Sequence, residues 1–347
     1  MTRSACLIFN PVAGQGDSEQ DLATIKKILE PEFDLDIQFT TPEVEAGELA
    51  RKAIEDNAEI IIASGGDGTV SAVAEALIEK DIPLGAIARG TANAFANALG
   101  IPDTIEEACQ VIVDGATKKV DTGICNGKPM VLLAGIGFEA ETVDDADREA
   151  KNSMGMLAYV MSGFKQLREF EKFATIIETD EKIIEVDANA VTIANAAPPT
   201  SILAHGTAGV IYDDGLLDVT IVTPQTRASA IAISYHLLQT ASNDEAAERD
   251  DIGYLRTKWV KVITDPPQKV VLDGEIIGTT PIEVECIPNG LTVFTPKKYI
   301  EQEAERLEHL AGIKIRKKSD DGGTKTDAPE FVDEKQVVID PQEFITD

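Results

Sequence analysis

The stretch Ile60-Ile61-Ile62-Ala63-Ser64-Gly65-Gly66-Asp67-Gly68-Thr69 constrains the fold more than any other. Consecutive β-branched isoleucines in an apolar run read as a strand buried on both faces. The run ends in Gly65-Gly66-Asp67-Gly68, and Val70 to Lys80 then carries apolar residues at helical spacing (Val70, Val73, Ala74, Leu77, Ile78). Strand, glycine turn and helix is how an α/β protein holds a phosphate. Glycine lets the backbone approach the anion, and the helix start offers free N–H groups and the positive end of its dipole. Asp67 would repel phosphates there unless a cation such as Mg2+ lies between, or unless it handles a proton. The plainer alternative is a tight turn in which Asp67 caps the helix.

The flanking chain favours a site. Ala5 to Phe9 reads as a first strand stopped by the loop Asn10-Pro11-Val12-Ala13-Gly14-Gln15-Gly16. Asp21–Leu29 has helical spacing, Leu35–Thr40 alternates like a strand, and Glu48–Glu55 is helical before the Ile60 strand. This is βαβαβ, a mostly parallel sheet whose ligands bind beyond the carboxyl ends of the strands. The Asn10–Gly16 loop, the Thr40-Thr41 strand end and the Gly65–Thr69 turn all fall on that edge. Ile82–Ala88 adds a strand, and Arg89-Gly90-Thr91-Ala92-Asn93 adds a turn in which Thr91 either meets a phosphate or caps a helix. Asp103–Val113 is a further helix.

From about Gly123 the pattern changes to short strands: Met130–Leu133, Thr175–Ile177, Val191–Ala194, Asp218–Val222, Trp259–Ile263, Val270–Leu272, Ile282–Cys286 and the run from Leu291. Only Met156–Phe170 and Ala228–Thr240 read as helices there. A second, largely antiparallel β domain is expected. After Lys297 a charged helix over Tyr299–Leu310 and a flexible acidic tail over Ser319–Asp347 are expected.

A chain of 347 residues, 43% hydrophobic, can bury a large core, and its length suggests two domains. No stretch has the length of a membrane-spanning helix, and Met1-Thr2-Arg3 leads into a strand instead of a signal peptide. The cysteines Cys6, Cys109, Cys125 and Cys286 are far apart in apolar surroundings, which points to reduced thiols in the cytosol. A net charge of −30 disfavours nucleic acid as a partner and gives no general attraction to anionic membranes. It fits a high-salt cytoplasm or an acidic protein kept soluble by repulsion.

Several patterns are set aside. Gly135-Ile136-Gly137-Phe138-Glu139-Ala140 fits a dinucleotide fingerprint but lies inside the β-rich part, before a poor helix. There is no GxxxxGK[ST] loop and no GxSxG, and His205, His236 and His309 are isolated. Tyr212-Asp213-Asp214-Gly215 reads as a turn, or as a hard-cation site of one carboxylate and carbonyls. Leu272-Asp273-Gly274-Glu275 has the Asp-Gly signal of a hairpin and displays two carboxylates together.

Asn10-Pro11-x-x-Gly14, Gly65 to Thr69, Gly90-Thr91-Ala92-Asn93, Lys119-Val120-Asp121-x-Gly123, Asp214-Gly215-Leu216-Leu217-Asp218 and Leu272 to Glu275 form an ordered set. With it the chain resembles the soluble bacterial lipid kinases of the diacylglycerol kinase type, which share a catalytic domain with sphingosine and ceramide kinases. The resemblance covers about residues 4–297; the Gly65–Thr69 motif alone also occurs in NAD kinases. It implies a doubly wound, NAD kinase-like (Rossmann-like) nucleotide-binding α/β domain over 1–123, with 288–298 returning to it. A β-sandwich domain over 124–287 and the segment 299–347 complete the chain, with the site in the cleft between the two domains.

The resemblance further implies an ATP cradle of Asn10, Pro11, Val12, Ala13, Gly14, Thr41, Gly66, Asp67, Gly68, Thr69, Val70, Ser71, Ala72 and Thr91. It implies Asp273 as general base with Glu275 beside it, and Asp67 in the Mg2+–ATP network with Asp121 as its partner. A structural Mg2+ would take the Asp214 carboxylate and the carbonyls of Ile211 and Leu216. Three departures stand out: Gln15 where some relatives carry Lys, Ser71-Ala72 in place of the usual Asn-Glu, and two extra residues between Thr41 and Gly47 that make Thr40 an alternative contact. The expected activity is transfer of the ATP γ-phosphoryl group to a lipid hydroxyl by a cytoplasmic enzyme in transient contact with the bilayer. The acceptor would be diacylglycerol or a related glycerolipid. The Met156–Lys172 helix (Met161, Phe164, Lys165, Arg168, Lys172) is either a docking element or core packing. A homodimer is compatible with this reading. The competing readings are an NAD kinase-like enzyme on a soluble substrate and a nucleotide or lipid sensor with a decayed site.

Overall fold

The computed structural model describes residues 3–14, 16–137, 172–197, 210–223 and 250–296, with the backbone of 305–306 and 314–317. The chain begins β1 (Arg3–Phe9), α1 (Ser18–Leu29), β2 (Phe33–Phe39), α2 (Ala46–Glu55), β3 (Ile60–Gly65), α3 (Asp67–Leu77) and β4 (Leu84–Ala88). All four strands are parallel, in the order β2-β1-β3-β4. Right-handed crossovers that run in opposite directions along such a sheet lie on opposite faces, and those that run in the same direction share one. Accordingly α2 packs with α3, while α1 packs with α5 (Ile105–Asp114), which follows the short α4 (Ala94–Ala98). Covered on both sides, β3 carries no polar face, and Ile60, Ile61 and Ile62 are fully buried.

The chain continues through β5 (Thr117–Cys125), β6 (Lys128–Met130), β7 (Leu133–Gly137), β8 (Phe173–Thr179), β9 (Lys182–Ala188), β10 (Ala190–Ala194) and β11 (Leu217–Val222). It then forms β12 (Ile252–Thr257), β13 (Trp259–Asp265), β14 (Lys269–Leu272), β15 (Glu275–Thr279) and β16 (Ile282–Phe294), with β17 (Glu305–Arg306) and β18 (Lys314–Lys317) last. Strand β16 joins the two halves: its start pairs with β13, its length pairs with β5, and Val293 pairs in parallel with Leu84 of β4. One mixed sheet thus runs β18-β9-β8-β13-β16-β4-β3-β1-β2, with β5 on β16 and β6 on β5. The second sheet, β15-β14-β7-β10-β11-β12-β17, is antiparallel at each of its pairings. Alternate residues of β13 are buried, the pattern of a strand with one core face. Those residues, Val260 and Val262, share one apolar core with Ile136, Val191 and Val219 of the second sheet, which makes this half a β-sandwich. The expected fold, an α/β layer with a β-sandwich, is the one observed.

Two expectations need correction. Met130–Leu133 is not one strand: β6 ends at Met130, the chain bends at Val131-Leu132, and β7 starts at Leu133. The N–H groups there bond the Asp273 carboxylate, which breaks the ladder. The helix expected over 299–310 is interrupted at Glu305–Arg306, which adds a short strand to the β12 edge and satisfies backbone groups an edge leaves unpaired. The helices expected at Met156–Phe170 and Ala228–Thr240, residues Gln15, His205, His236 and His309, and the tail beyond 317 lie outside the described residues. The four cysteines are free and buried. Among the described residues, no helix is long and apolar enough to cross a membrane.

Candidate active site

The register of the parallel strands aligns their carboxyl ends: Phe9 pairs with Phe39 and Ser64, and Gly65 with Ala88. The loops that follow therefore emerge side by side. Asn10 joins two of them, donating from its backbone N–H to Ser64 O at 2.9 Å and from Nδ2 to Thr69 Oγ1 at 3.0 Å. Its Oδ1 accepts from Val12 N at 3.1 Å, which folds the loop into an Asx turn. The loop tip is open to solvent, with Val12 89% exposed. At Gly14, φ is +92°, and a Cβ would stand 3.1 Å from the Arg89 carbonyl.

The Gly65–Thr69 turn opens α3 without a side-chain cap. The N-cap is Gly66, and Asp67, the first helical residue, donates no cap to its own helix. Its Oδ1 instead accepts from the N–H of Ala94 at the start of α4. The reading of Asp67 as a plain N-cap is therefore wrong, and the first N–H groups of α3 are left available to an anion. Thr91 is no cap either: it is exposed, and Asn93 at φ +48° precedes α4. Gly90 is pressed against Gly66, and a Cβ there would lie 2.9 Å from the Gly66 Cα. Gly68 has open space where a Cβ would be, Val70 and Ser71 are buried in α3, and Ala72 is half-buried. Thr41 and Thr40 are bonded differently at the strand end. The Thr41 hydroxyl donates to Glu43 Oε2 at 2.9 Å within its own turn, whereas Thr40 extends the sheet by donating from N–H to Phe9 O at 3.0 Å.

Arg89, which the sequence reading passed over, supports these loops from below. Its side chain is 1% exposed; Nε and Nη2 lie 2.8 Å from Asp21 Oδ2, Nη1 donates to Asn10 O at 3.0 Å, and the guanidinium sits 4.3 Å from the Phe9 ring centre.

The second group of residues comes from the sandwich. Asp273 and Gly274 form the two-residue turn between β14 and β15, both at positive φ (48° and 92°), as the Asp-Gly signal requires. The half-buried Asp273 carboxylate accepts three consecutive backbone N–H groups: Val131 on Oδ2 at 2.6 Å, and Leu132 and Leu133 on Oδ1 at 2.9 and 2.8 Å. Burial pushes its pKa up to about 6, and these N–H groups work against that rise by favouring the anion. Glu275 is exposed at the start of β15. Burial raises the pKa of Glu75 on α3, one turn beyond Ala72, and the charges of Asp273 and Glu275 raise it further. Glu75 is thus a third carboxylate of the site that sequence did not single out.

Asp121 and Asp214 sit together where the halves meet. Asp121, 1% exposed, accepts from Asn289 N–H on Oδ1 at 2.7 Å and from Gly215 N–H on Oδ2 at 2.6 Å. Asp67 and Asp121 are therefore anchored to different segments. Asp214 Oδ1 accepts from Leu216 N–H at 3.0 Å, and its Oδ2 is 3.7 Å from Arg256 Nη1. Arg256 also donates from Nε to Asp218 Oδ1 at 2.8 Å, and Asp218 accepts from the Tyr254 hydroxyl and, at 3.2 Å, from Ile211 N–H. Among the described residues no group of three or more His, Cys, Asp and Glu side chains is arranged around a metal. A hard cation in the Asp214 loop would have one carboxylate, shared with Arg256, and the carbonyls of Ile211 and Leu216.

An α/β layer with an uncapped glycine turn, joined to a β-sandwich that carries a carboxylate on a hairpin turn, is a kinase architecture of the NAD kinase-like two-domain kind. Residues 4–125 match the diacylglycerol kinase catalytic domain family, and residues 133–295 match the YegS C-terminal NAD kinase beta sandwich-like domain family. The chain belongs to the diacylglycerol kinase family. It is 30% identical over 306 residues to the diacylglycerol kinase of Bacillus subtilis (strain 168), covering 86% of this chain and 99% of that one. It is 49% identical to an uncharacterized protein of Synechocystis sp. (strain ATCC 27184 / PCC 6803 / Kazusa), over 85% of this chain and 71% of the other. A solved diacylglycerol kinase from Bacillus anthracis str. Sterne superposes with a TM-score of 0.67 at 26% identity, over 85% of this chain and 97% of that chain.

Proposed function

We propose that this protein transfers the γ-phosphoryl group of ATP, as its Mg2+ complex, to the hydroxyl of a membrane glycerolipid of the diacylglycerol type. The observation that carries the reading is the Asp273 carboxylate, fixed on its hairpin turn by three backbone N–H groups, together with the uncapped start of α3 that follows the glycine turn. Phosphoryl transfer asks for positioning and charge compensation more than covalent chemistry. The N–H groups at the start of α3 and the Asn10–Gly14 loop would cradle the phosphates. Asp67, with Oδ1 tied to Ala94, would present Oδ2 to the metal's hydration shell. Mg2+, when bound, would neutralise charge on the transferring phosphate. Asp273 would accept the proton of the lipid alcohol: its three N–H bonds fix the carboxylate, and its raised pKa makes it a better base than a solvated aspartate. Glu275 and Glu75 would keep the turn's environment negative and hold the proton once taken. The lipid would come from the bilayer surface by transient contact.

The test is transfer of labelled γ-phosphate from Mg2+–ATP to a panel of lipids in mixed micelles, with Asp67→Ala alongside. Label on one lipid, absent in the variant, establishes the activity and names the substrate. Label on NAD in place of any lipid moves the reading to a soluble acceptor. Bound ATP without transfer to either moves it to a sensor.

A further inference from the structure

The Asp273 carboxylate is held by backbone, so something must hold that backbone. Val131 and Leu132 form a bend between two strands, outside the ladder that aligns peptide groups elsewhere. Three successive N–H groups pointing to one side make an anion-binding nest, a conformation extended backbone does not adopt unaided. The opposite side of the same peptides is bonded by Asn195. This residue follows β10 and is 1% exposed. Its Nδ2 donates to Val131 O at 3.0 Å and to Asp121 O at 2.8 Å, and its backbone N–H donates to Leu132 O at 2.8 Å. The Ala196 N–H adds a second bond to Leu132 O at 3.1 Å. Asn195 thereby ties the nest to Asp121, whose carboxylate in turn holds Gly215 and Asn289.

We infer that Asn195 is a positioning residue for Asp273: its side-chain amide fixes the Val131–Leu133 nest that orients the carboxylate. A second observation supports a role beyond packing. Asn195 Oδ1 is buried without a hydrogen-bond partner among the described residues, an arrangement that core packing alone would replace with an apolar side chain. Neither alanine nor aspartate can supply the two N–H donors. The role rests on the reading of Asp273 as the base, and the experiment separates the two.

The test uses the full chain and the variants Asn195→Ala, Asn195→Asp (the same shape without the donors), Asp273→Ala and the double variant Asn195→Ala/Asp273→Ala. Measured are turnover, ATP affinity and amide hydrogen exchange of the 128–135 and 60–65 segments. The expected result is a roughly 10- to 100-fold loss of turnover in both Asn195 variants with ATP affinity kept within about twofold. In the double variant the Asn195 change costs nothing further, because residues acting as one unit are non-additive. Exchange at 131–133 rises while 60–65 stays protected. Additive losses, weakened ATP binding in step with turnover, or unchanged exchange at 131–133 would overturn the assignment. If the wild type transfers phosphate to no lipid, the functional reading fails, and exchange at 131–133 still decides whether Asn195 orders the nest.

Discussion

Arg89 and Asp21 form a 2.8 Å ion pair beneath the Asn10–Gly14 loop, between the end of β4 and helix α1. The same guanidinium holds the Asn10 carbonyl and stacks on Phe9, so one buried cation fastens the loop from three directions. Arg89→Met keeps the volume and removes all three contacts. It should lower stability by about 1–3 kcal/mol, seen as a lower urea midpoint. Nucleotide affinity should fall roughly tenfold, about 1.4 kcal/mol. Isothermal titration with Mg2+–ATP checks the second figure, and unchanged affinity would show that the loop is fastened without Arg89.

Asp273→Asn keeps the shape of the side chain and removes the proposed base. Turnover should fall by about 10²–10⁴-fold, the usual contribution of proton transfer by a placed group. ATP affinity should stay within about twofold, since the proposed phosphate cradle lies on the other half. Turnover that survives the change would remove Asp273 from the role of base.

The pH dependence follows from the same residue. With its pKa raised from 3.8 to about 6, Asp273 takes a proton as the pH falls through 6, and turnover should drop about tenfold per unit below that point. The stability sign is the reverse. A carboxylate raised on folding contributes stability that is complete below its unfolded pKa and is lost as pH rises through about 6. The gain in melting temperature between pH 8 and pH 5 should therefore be larger in the wild type than in Asp273→Asn. An acid limb that persists in Glu75→Gln assigns it to Asp273; a limb that moves with Glu75 assigns it elsewhere.

Arg256 compensates a buried carboxylate. Asp218 is 1% exposed, and burial pushes its pKa up to about 6 even with the guanidinium beside it. Arg256→Met would strand that charge, at a cost of about 3–5 kcal/mol. Adding Asp218→Asn should restore part of the loss, read as recovery of the denaturation midpoint. If the single and double variants melt alike, the pair is not coupled.

What sequence revealed follows from what side chains encode. The isoleucines of β3 and the Gly65–Thr69 turn showed a strand, a turn and a helix because burial and glycine are local signals. Asp273-Gly274 disclosed its hairpin because positive φ at both turn positions selects those residue types. The nest at Val131–Leu133 was hidden, and the run around it resembled an unbroken strand, because backbone N–H groups are the same at every apolar residue. Asn195, Arg89 and Glu75 were missed for a related reason: each acts on a partner far away in sequence, and no spacing rule joins Asn195 to Asp121 or Glu75 to Asp273. The resemblance implied that 288–298 returns to the first layer, but the pairing of β16 with β5 had no local signal, since nothing in Thr117–Cys125 names its partner.

That partnership sets the order in which the molecule can be built. Strand β16 fills the seam beside β4 and β5, yet it comes from the far end of the described chain. A ribosome that has released the first 125 residues has released helices, four parallel strands and an open flank, but not a finished nucleotide layer. The flank closes only when Leu291 and Val293 arrive, after every strand of the sandwich except the short β17 and β18 has been synthesised. Contacts this distant are slow to form, and until they do the exposed strand edge invites pairing with other chains. The two halves are thus divided in space but not in time, and a nascent chain of this protein spends most of its synthesis waiting for its last long strand.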